Sequence, residues 1–118
     1  MKIEELLMYQ TDVMVLPVGH TLFSEGDPGD SMYVLMSGRA DIMLRGKVLE
    51  TAISGAILGE LAIIDNSPRS ATVVAREDCS LIAINANRFS ALTREMPDFA
   101  LHVMRAMADR LRRLGKLL

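Results

Sequence analysis

The spacing of apolar residues divides the chain into three stretches. Residues 2–9 carry Ile3, Leu6 and Leu7 on one side, which predicts a short opening helix. From Val13 the spacing shortens. Val13-Met14-Val15-Leu16 runs into Pro17-Val18-Gly19, and Thr21-Leu22-Phe23 into the dense turn Gly26-Asp27-Pro28-Gly29-Asp30. Met32 to Met36 stops at Ser37-Gly38, after which Ala40, Ile42 and Leu44 alternate with Asp41, Met43 and Arg45 as in a half-buried strand. Arg45-Gly46-Lys47 reads as a hairpin turn into Val48–Ile53, and a loop follows around Ser54-Gly55. Residues 59–64 make one helical turn, ended by Asn66-Ser67-Pro68. Ala71–Ala75 and Ser80–Ile84 are two further strands. Seven or eight short strands spaced by roughly 8–12 residues predict a sandwich or roll rather than a parallel βαβ sheet.

The third stretch is helical. Asn87 is the expected cap of a helix over Arg88–Arg94, which Met96-Pro97 ends, and Asp98 the expected cap of a long final helix. Its positions Phe99, Val103, Met107, Leu111, Leu114 and Leu118 follow a 3.6-residue period, the pattern of a face packed on the roll. A second face of Ala100, Met104 and Ala108 is also small or apolar, which leaves core packing and a homodimer seam both open. The expectation is one domain over 1–118: a helix in 1–10, a mostly β roll in 11–86, and two C-terminal helices in 87–118.

Composition narrows the class. Half of the 118 residues are apolar and 24% are charged, ordinary values for one soluble domain. A net charge of −2 supplies no general attraction to nucleic acid, although residues 98–118 hold five basic side chains against two acidic. One cysteine, Cys79, excludes an intramolecular disulfide and suits a cytoplasmic protein. His20 and His102 are too few for a catalytic zinc site without carboxylates, so no metal is expected. No apolar run nears the ~20 residues of a membrane span. Seven of eight glycines crowd into residues 19–59.

The chemistry concentrates in residues 58–72. Gly59 opens a short helix whose free N–H groups favour an anion, and Glu60 follows in its first turn. Nine residues later, Arg69 and Ser70 begin a strand. Arginine suits bidentate phosphate binding, and serine adds a hydroxyl. An ionised Glu60 only accepts hydrogen bonds, so it suits a ligand hydroxyl rather than a phosphate. An anion clamp beside a hydroxyl acceptor describes a sugar phosphate, such as a nucleotide. Structural uses compete with this: Arg69 in an ion pair, Glu60 satisfying the helix end, Asp30 stabilising its own turn.

Gly59-Glu60-Leu61 followed by Pro68-Arg69-Ser70-Ala71-Thr72 resembles the phosphate-binding cassette of cyclic nucleotide-binding domains. That family includes the catabolite activator protein, protein kinase A regulatory subunits and cyclic-nucleotide-gated channels. Pro17-Val18-Gly19, Leu22-Phe23, the Gly26–Asp30 turn, Tyr33-Val34 and Ser37-Gly38 fit the family in order and spacing, so the resemblance covers nearly the whole chain. It implies an eight-stranded β-roll, a double-stranded β-helix of jelly-roll type, with a short N-terminal helix and two C-terminal helices. It implies cyclic AMP or cyclic GMP as ligand, no other cofactor and no catalysis. Gly59 and Glu60 would face the ribose, with Glu60 on the 2′-hydroxyl, and Leu61 would be a further ligand-binding residue of the cassette. Arg69 would pair with the cyclic phosphate, which Ser70 and the N–H groups of Ser70 and Ala71 would help cradle. Asp30 would brace Arg69. Ile42, Leu44 and Leu58 would line the base pocket, Leu58 standing where the family often has phenylalanine. Arg110 is the first candidate to lid the base from the terminal helix, and Arg113 the second.

Catabolite-activator relatives continue into a helix-turn-helix, and channels place a membrane part before this domain. These 118 residues are expected to hold the sensor and its lid without an effector. Three functions compete: a non-catalytic sensor of cyclic AMP or cyclic GMP, a ligand-independent module that keeps the roll, and a cupin-type metalloenzyme. The last lacks a histidine cluster. Cyclic AMP is the favoured ligand, and Ser70 is compatible with either base.

Overall fold

The structure is a computed structural model describing residues 1–9 and 12–115. A 3-10 helix (Ile3–Met8) precedes β1 (Val13–Leu16), β2 (Thr21–Phe23), β3 (Ser31–Ser37), β4 (Ala40–Leu44), β5 (Lys47–Ala52) and β6 (Ile57–Leu58). Then come α1 (Leu61–Ile64), β7 (Thr72–Ala75), β8 (Cys79–Asn85), α2 (Ala86–Glu95) and α3 (Pro97–Gly115). The strands form two four-stranded antiparallel sheets in the orders β1-β8-β3-β6 and β2-β7-β4-β5. This is the expected eight-stranded roll, with both sheets left open rather than closed into a barrel.

Local chemistry accounts for most turns. Arg45 and Gly46 both take positive φ, 51° and 80°, as a two-residue hairpin between β4 and β5 requires. Gly38 sits at φ +87° where a Cβ would lie 2.3 Å from the Asp78 carbonyl, so only glycine fits the β3–β4 turn. The two-residue β6 falls where the sequence predicts a loop and helix start. Such a strand is too short to show a period, and it forms because β3 presents Tyr33 to Leu58 and Val34 to Ile57.

Two apolar layers lie on either side of the β1-β8-β3-β6 sheet. Inside the roll, Leu35, Leu58 and Leu81 meet Ala40, Ile42, Val73 and Ala75 of the other sheet. On the outer face, Met32, Val34, Ile57, Ile82 and Ile84 pack against Leu6, Leu92, Met96, Phe99 and Val103. β3 and β8 are therefore buried on both faces. That is why their sequences read as continuous apolar runs while β4 alternates.

The helices correct three expectations. Asn85, not Asn87, caps α2, its side chain accepting from the Arg88 N–H at 2.8 Å. Asn85 is the last residue of β8, so the strand runs into the helix without a loop. α3 starts at Pro97, the first-turn position where its missing N–H costs nothing, and Asp98 lies within that turn. Phe99 and Val103 are buried and Met107 half-buried, whereas Leu111 is 68% exposed. The buried stripe instead continues through half-buried Ala106 and Arg110, because the helix drifts from the apolar layer toward the β5–β6 edge. Leu114 and Leu118, expected on the stripe, lie outside the described side chains. Phe89 of α2 meets Phe99 edge-on, with ring centroids 5.9 Å apart.

Removing the α2 cap through Asn85→Ala is expected to lower stability by about 1 kcal/mol. The exposed Asn87→Ala is expected to change it by less than about 0.5 kcal/mol. Urea denaturation of the two variants checks the assignment, and the reverse ranking would overturn it.

Candidate functional site

Glu60 and Arg69 are the buried charged side chains among the described residues, with 5% and 6% of their surfaces exposed. Both belong to the segment that sequence reasoning singled out. The loop after β2 holds the backbone of Arg69 on both sides: Gly26 N–H donates to the Arg69 carbonyl and Arg69 N–H to the Asp27 carbonyl, each at 2.8 Å. Glu25 N–H donates to the Thr72 hydroxyl at 2.9 Å, tying the same loop to β7.

The Arg69 guanidinium lies in a narrow slot. Its Nη1 donates to the Gly59 carbonyl at 3.2 Å, and its Cζ stands 4.2 Å from the centroid of Phe23 and 5.7 Å from that of Tyr33. A Cβ on Gly29 would come within 2.4 Å of the guanidinium carbon, and one on Gly59 within 2.3 Å of Nη1. Glycine at these two places leaves the guanidinium its room. Arg69 Nε is buried without a hydrogen-bond partner, and no carboxylate pairs with the side chain among the described residues. A buried cation without a counter-charge is costly, so this arrangement is poised for an anion. Asp30 takes a different partner from the expected Arg69: its Oδ1 accepts from the Ser31 hydroxyl at 3.2 Å.

Glu60 precedes α1 in helical conformation and makes no capping hydrogen bond. Its partner is on α3: Arg110 Nη1 donates to Glu60 Oε1 at 2.9 Å. The same guanidinium donates from Nε to Glu50 Oε1 and from Nη2 to the Ile57 carbonyl. Arg113 Nη2 stands 2.7 Å from Glu50 Oε2. α3 is thus ion-paired to β5 and to the residue before α1. Between β5–β6 and α3 lies a cleft of about 470 Å³, with Glu50, Ile57, Ala106, Asp109, Arg110 and Arg113 among its walls.

The remaining predicted residues divide by burial. Ile42, Leu58 and Ala71 share the layer inside the roll that Phe23 and Tyr33 pack against. Leu44 and Leu61 are half-buried, and Ser70 is exposed beside Arg69. Sequence reasoning missed Phe23, Tyr33 and Gly29 around the guanidinium, and Glu50 beneath α3. Phe23, Gly29 and Tyr33 lie within motifs already noted, but their convergence on Arg69 depends on cross-strand packing that spacing does not encode.

The model for the cyclic nucleotide-binding domain matches residues 13–96, and the chain belongs to that family. It is 31% identical over 111 residues to the Pycsar effector protein XpPycTIR of Xanthomonas perforans, covering 93% of this chain and 37% of that protein. It is 36% identical over 89 residues to a cAMP-dependent protein kinase regulatory subunit of Aspergillus niger, covering 74% and 22%. The crystal structure of Thermus thermophilus catabolite activator protein superposes with a TM-score of 0.80 at 30% identity, covering 96% of this chain and 55% of that one. The chain therefore spans well under two thirds of the curated relatives it matches.

His102 of α3 lies 2.9 Å from the Gly55 carbonyl through Nε2. No helix among the described residues is long and apolar enough to cross a membrane, and none of them form a group of three or more His, Cys, Asp or Glu able to hold a metal. Cys79 is buried, with its thiol on the Arg39 and Glu77 carbonyls at 3.2 and 3.3 Å. Burial pushes this thiol above its ordinary pKa, helped by the charges of Glu77 and Asp78. A raised pKa leaves less thiolate, so Cys79 in the native protein is expected to resist iodoacetamide at pH 8, near the usual thiol pKa of about 8.5, and to react once unfolded. Rapid native alkylation, read by mass spectrometry, would contradict this.

Proposed function

We propose that this chain is a cytoplasmic, non-catalytic sensor domain for a cyclic nucleotide, with cyclic AMP the preferred ligand and cyclic GMP the second. The observation that carries the reading is Arg69, a buried guanidinium with an unpartnered Nε and no paired carboxylate among the described residues. A cyclic phosphate is the monoanion that would complete it. Ser70 and the N–H groups of Ser70 and Ala71 stand beside it in the chain to complete the cradle. Gly59, Glu60 and Leu61 take the ribose, with Glu60 accepting from the 2′-hydroxyl. Ile42, Leu44 and Leu58 line the base end. Asp30 belongs to the turn that holds the Arg69 backbone.

Arg110 is the lid candidate that the geometry favours. It reaches Glu60 directly, while Arg113 pairs with Glu50. A ligand hydroxyl on Glu60 would meet the same carboxylate that anchors α3, so binding changes what holds that helix. That is the differential contact a population shift needs. The helix then acts on a further domain or on a second copy. For a homodimer, Leu101, Met104 and Leu111 form an exposed stripe along α3. The alternative reading, a ligand-independent roll, leaves the Arg69 charge without a purpose.

Calorimetry with cyclic AMP is expected to show Arg69→Ala binding more weakly by about 2–5 kcal/mol, roughly 30-fold to several thousand-fold. Equal, tight binding by both proteins would sink the clamp. Competition between the two nucleotides is expected to favour cyclic AMP. If neither raises the melting temperature at millimolar concentration, the ligand-independent module is the better reading.

A further inference from the structure

Arg69 is held by an aromatic shelf rather than by a carboxylate. We infer that Phe23 is a positioning residue for phosphate binding: its ring face orients the Arg69 guanidinium while leaving the positive charge uncompensated for the ligand. This rests on the nucleotide reading above and extends it to a residue outside the cassette.

Three observations converge. The guanidinium carbon stands 4.2 Å from the Phe23 ring centroid, well inside cation–π range, and Tyr33 extends the aromatic surface at 5.7 Å. Phe23 and Tyr33 are themselves in contact, with centroids 6.1 Å apart, so the shelf is braced. The slot is also bordered by Gly29 and Gly59, where any Cβ would collide with the guanidinium, and one on Gly59 would also press on the Phe23 ring at 3.1 Å. The group thus lies over an aromatic face and is hemmed in by two bare backbone segments, with one hydrogen bond, to the Gly59 carbonyl, setting its rotation.

The electrostatic consequence differs from that of an ion pair. A carboxylate brace would neutralise the guanidinium and compete with an incoming phosphate. A ring quadrupole attracts the cation and carries no net charge. The shelf pre-orders a long, flexible side chain, so less side-chain entropy is lost on binding. Its register supports this. Phe23 pairs with Val73 across β2 and β7, just beyond the cassette's end, so the strand pairing that ends the cassette also sets the shelf beneath Arg69.

Replacing Phe23 site-specifically by mono-, di- and trifluorophenylalanine drains the ring face while keeping its shape. Cyclic AMP affinity is expected to fall stepwise with each fluorine. Phe23→Leu, which removes the ring face, is expected to lose about 3- to 30-fold. In an Arg69→Ala background the same changes are expected to have no effect, because Phe23 acts only through the guanidinium. Full affinity across the fluorinated series, or equal losses with and without Arg69, would show a merely structural ring and overturn the proposal. Wild-type titration separates the two readings. Binding that ignores fluorination overturns the role of Phe23 alone, and no binding of either cyclic nucleotide by the wild type overturns both.

Discussion

Placing a guanidinium inside a protein costs several kcal/mol unless something compensates its charge, and the rest of this site is arranged around that cost. Arg69 is bordered by backbone glycines and aromatic rings and has a single carbonyl acceptor. Its charge is unspent in the protein itself. The loop from Glu25 to Asp27 is anchored to Arg69 and Thr72 by three hydrogen bonds, which keeps the slot from collapsing. In that sense the turn-rich half of the chain serves one side chain.

The second buried charge follows a different rule. Glu60 is compensated by Arg110, which arrives from a helix fifty residues further on. Arg110 also bonds Glu50 and the Ile57 carbonyl, so one guanidinium joins α3 to two strands and to the start of the cassette. A buried pair of this kind adds little net stability compared with apolar packing, but it specifies where the helix lies. The apolar layer of Phe99 and Val103 supplies the adhesion, and the Arg110 contacts supply the position.

Much of the fold was legible because its causes are local. Strand alternation, Gly and Pro turns and the 3.6-residue stripe each leave a mark within a few residues, so seven of the eight strands and all the helices were foreseeable. The failures share a cause. β6 exists only because β3 offers it an edge. Leu111 fits the period yet faces outward, since a helix of this length outruns the apolar layer beneath its first half. Asn85 and Asn87 are chemically identical caps, and only the end of β8 chooses between them.

By itself, the sequence determined the roll, the order of its elements and the cassette with Glu60 and Arg69 at its centre, because these depend on short-range chemistry at set spacing. Only the tertiary structure decided what those two charges touch. Arg69 stacks on Phe23 rather than pairing with Asp30, and Glu60 meets Arg110 rather than the helix end. The partners lie 30 to 50 positions away. Which of several equally suitable side chains arrives is settled by strand pairing and helix docking, and no local pattern records that choice.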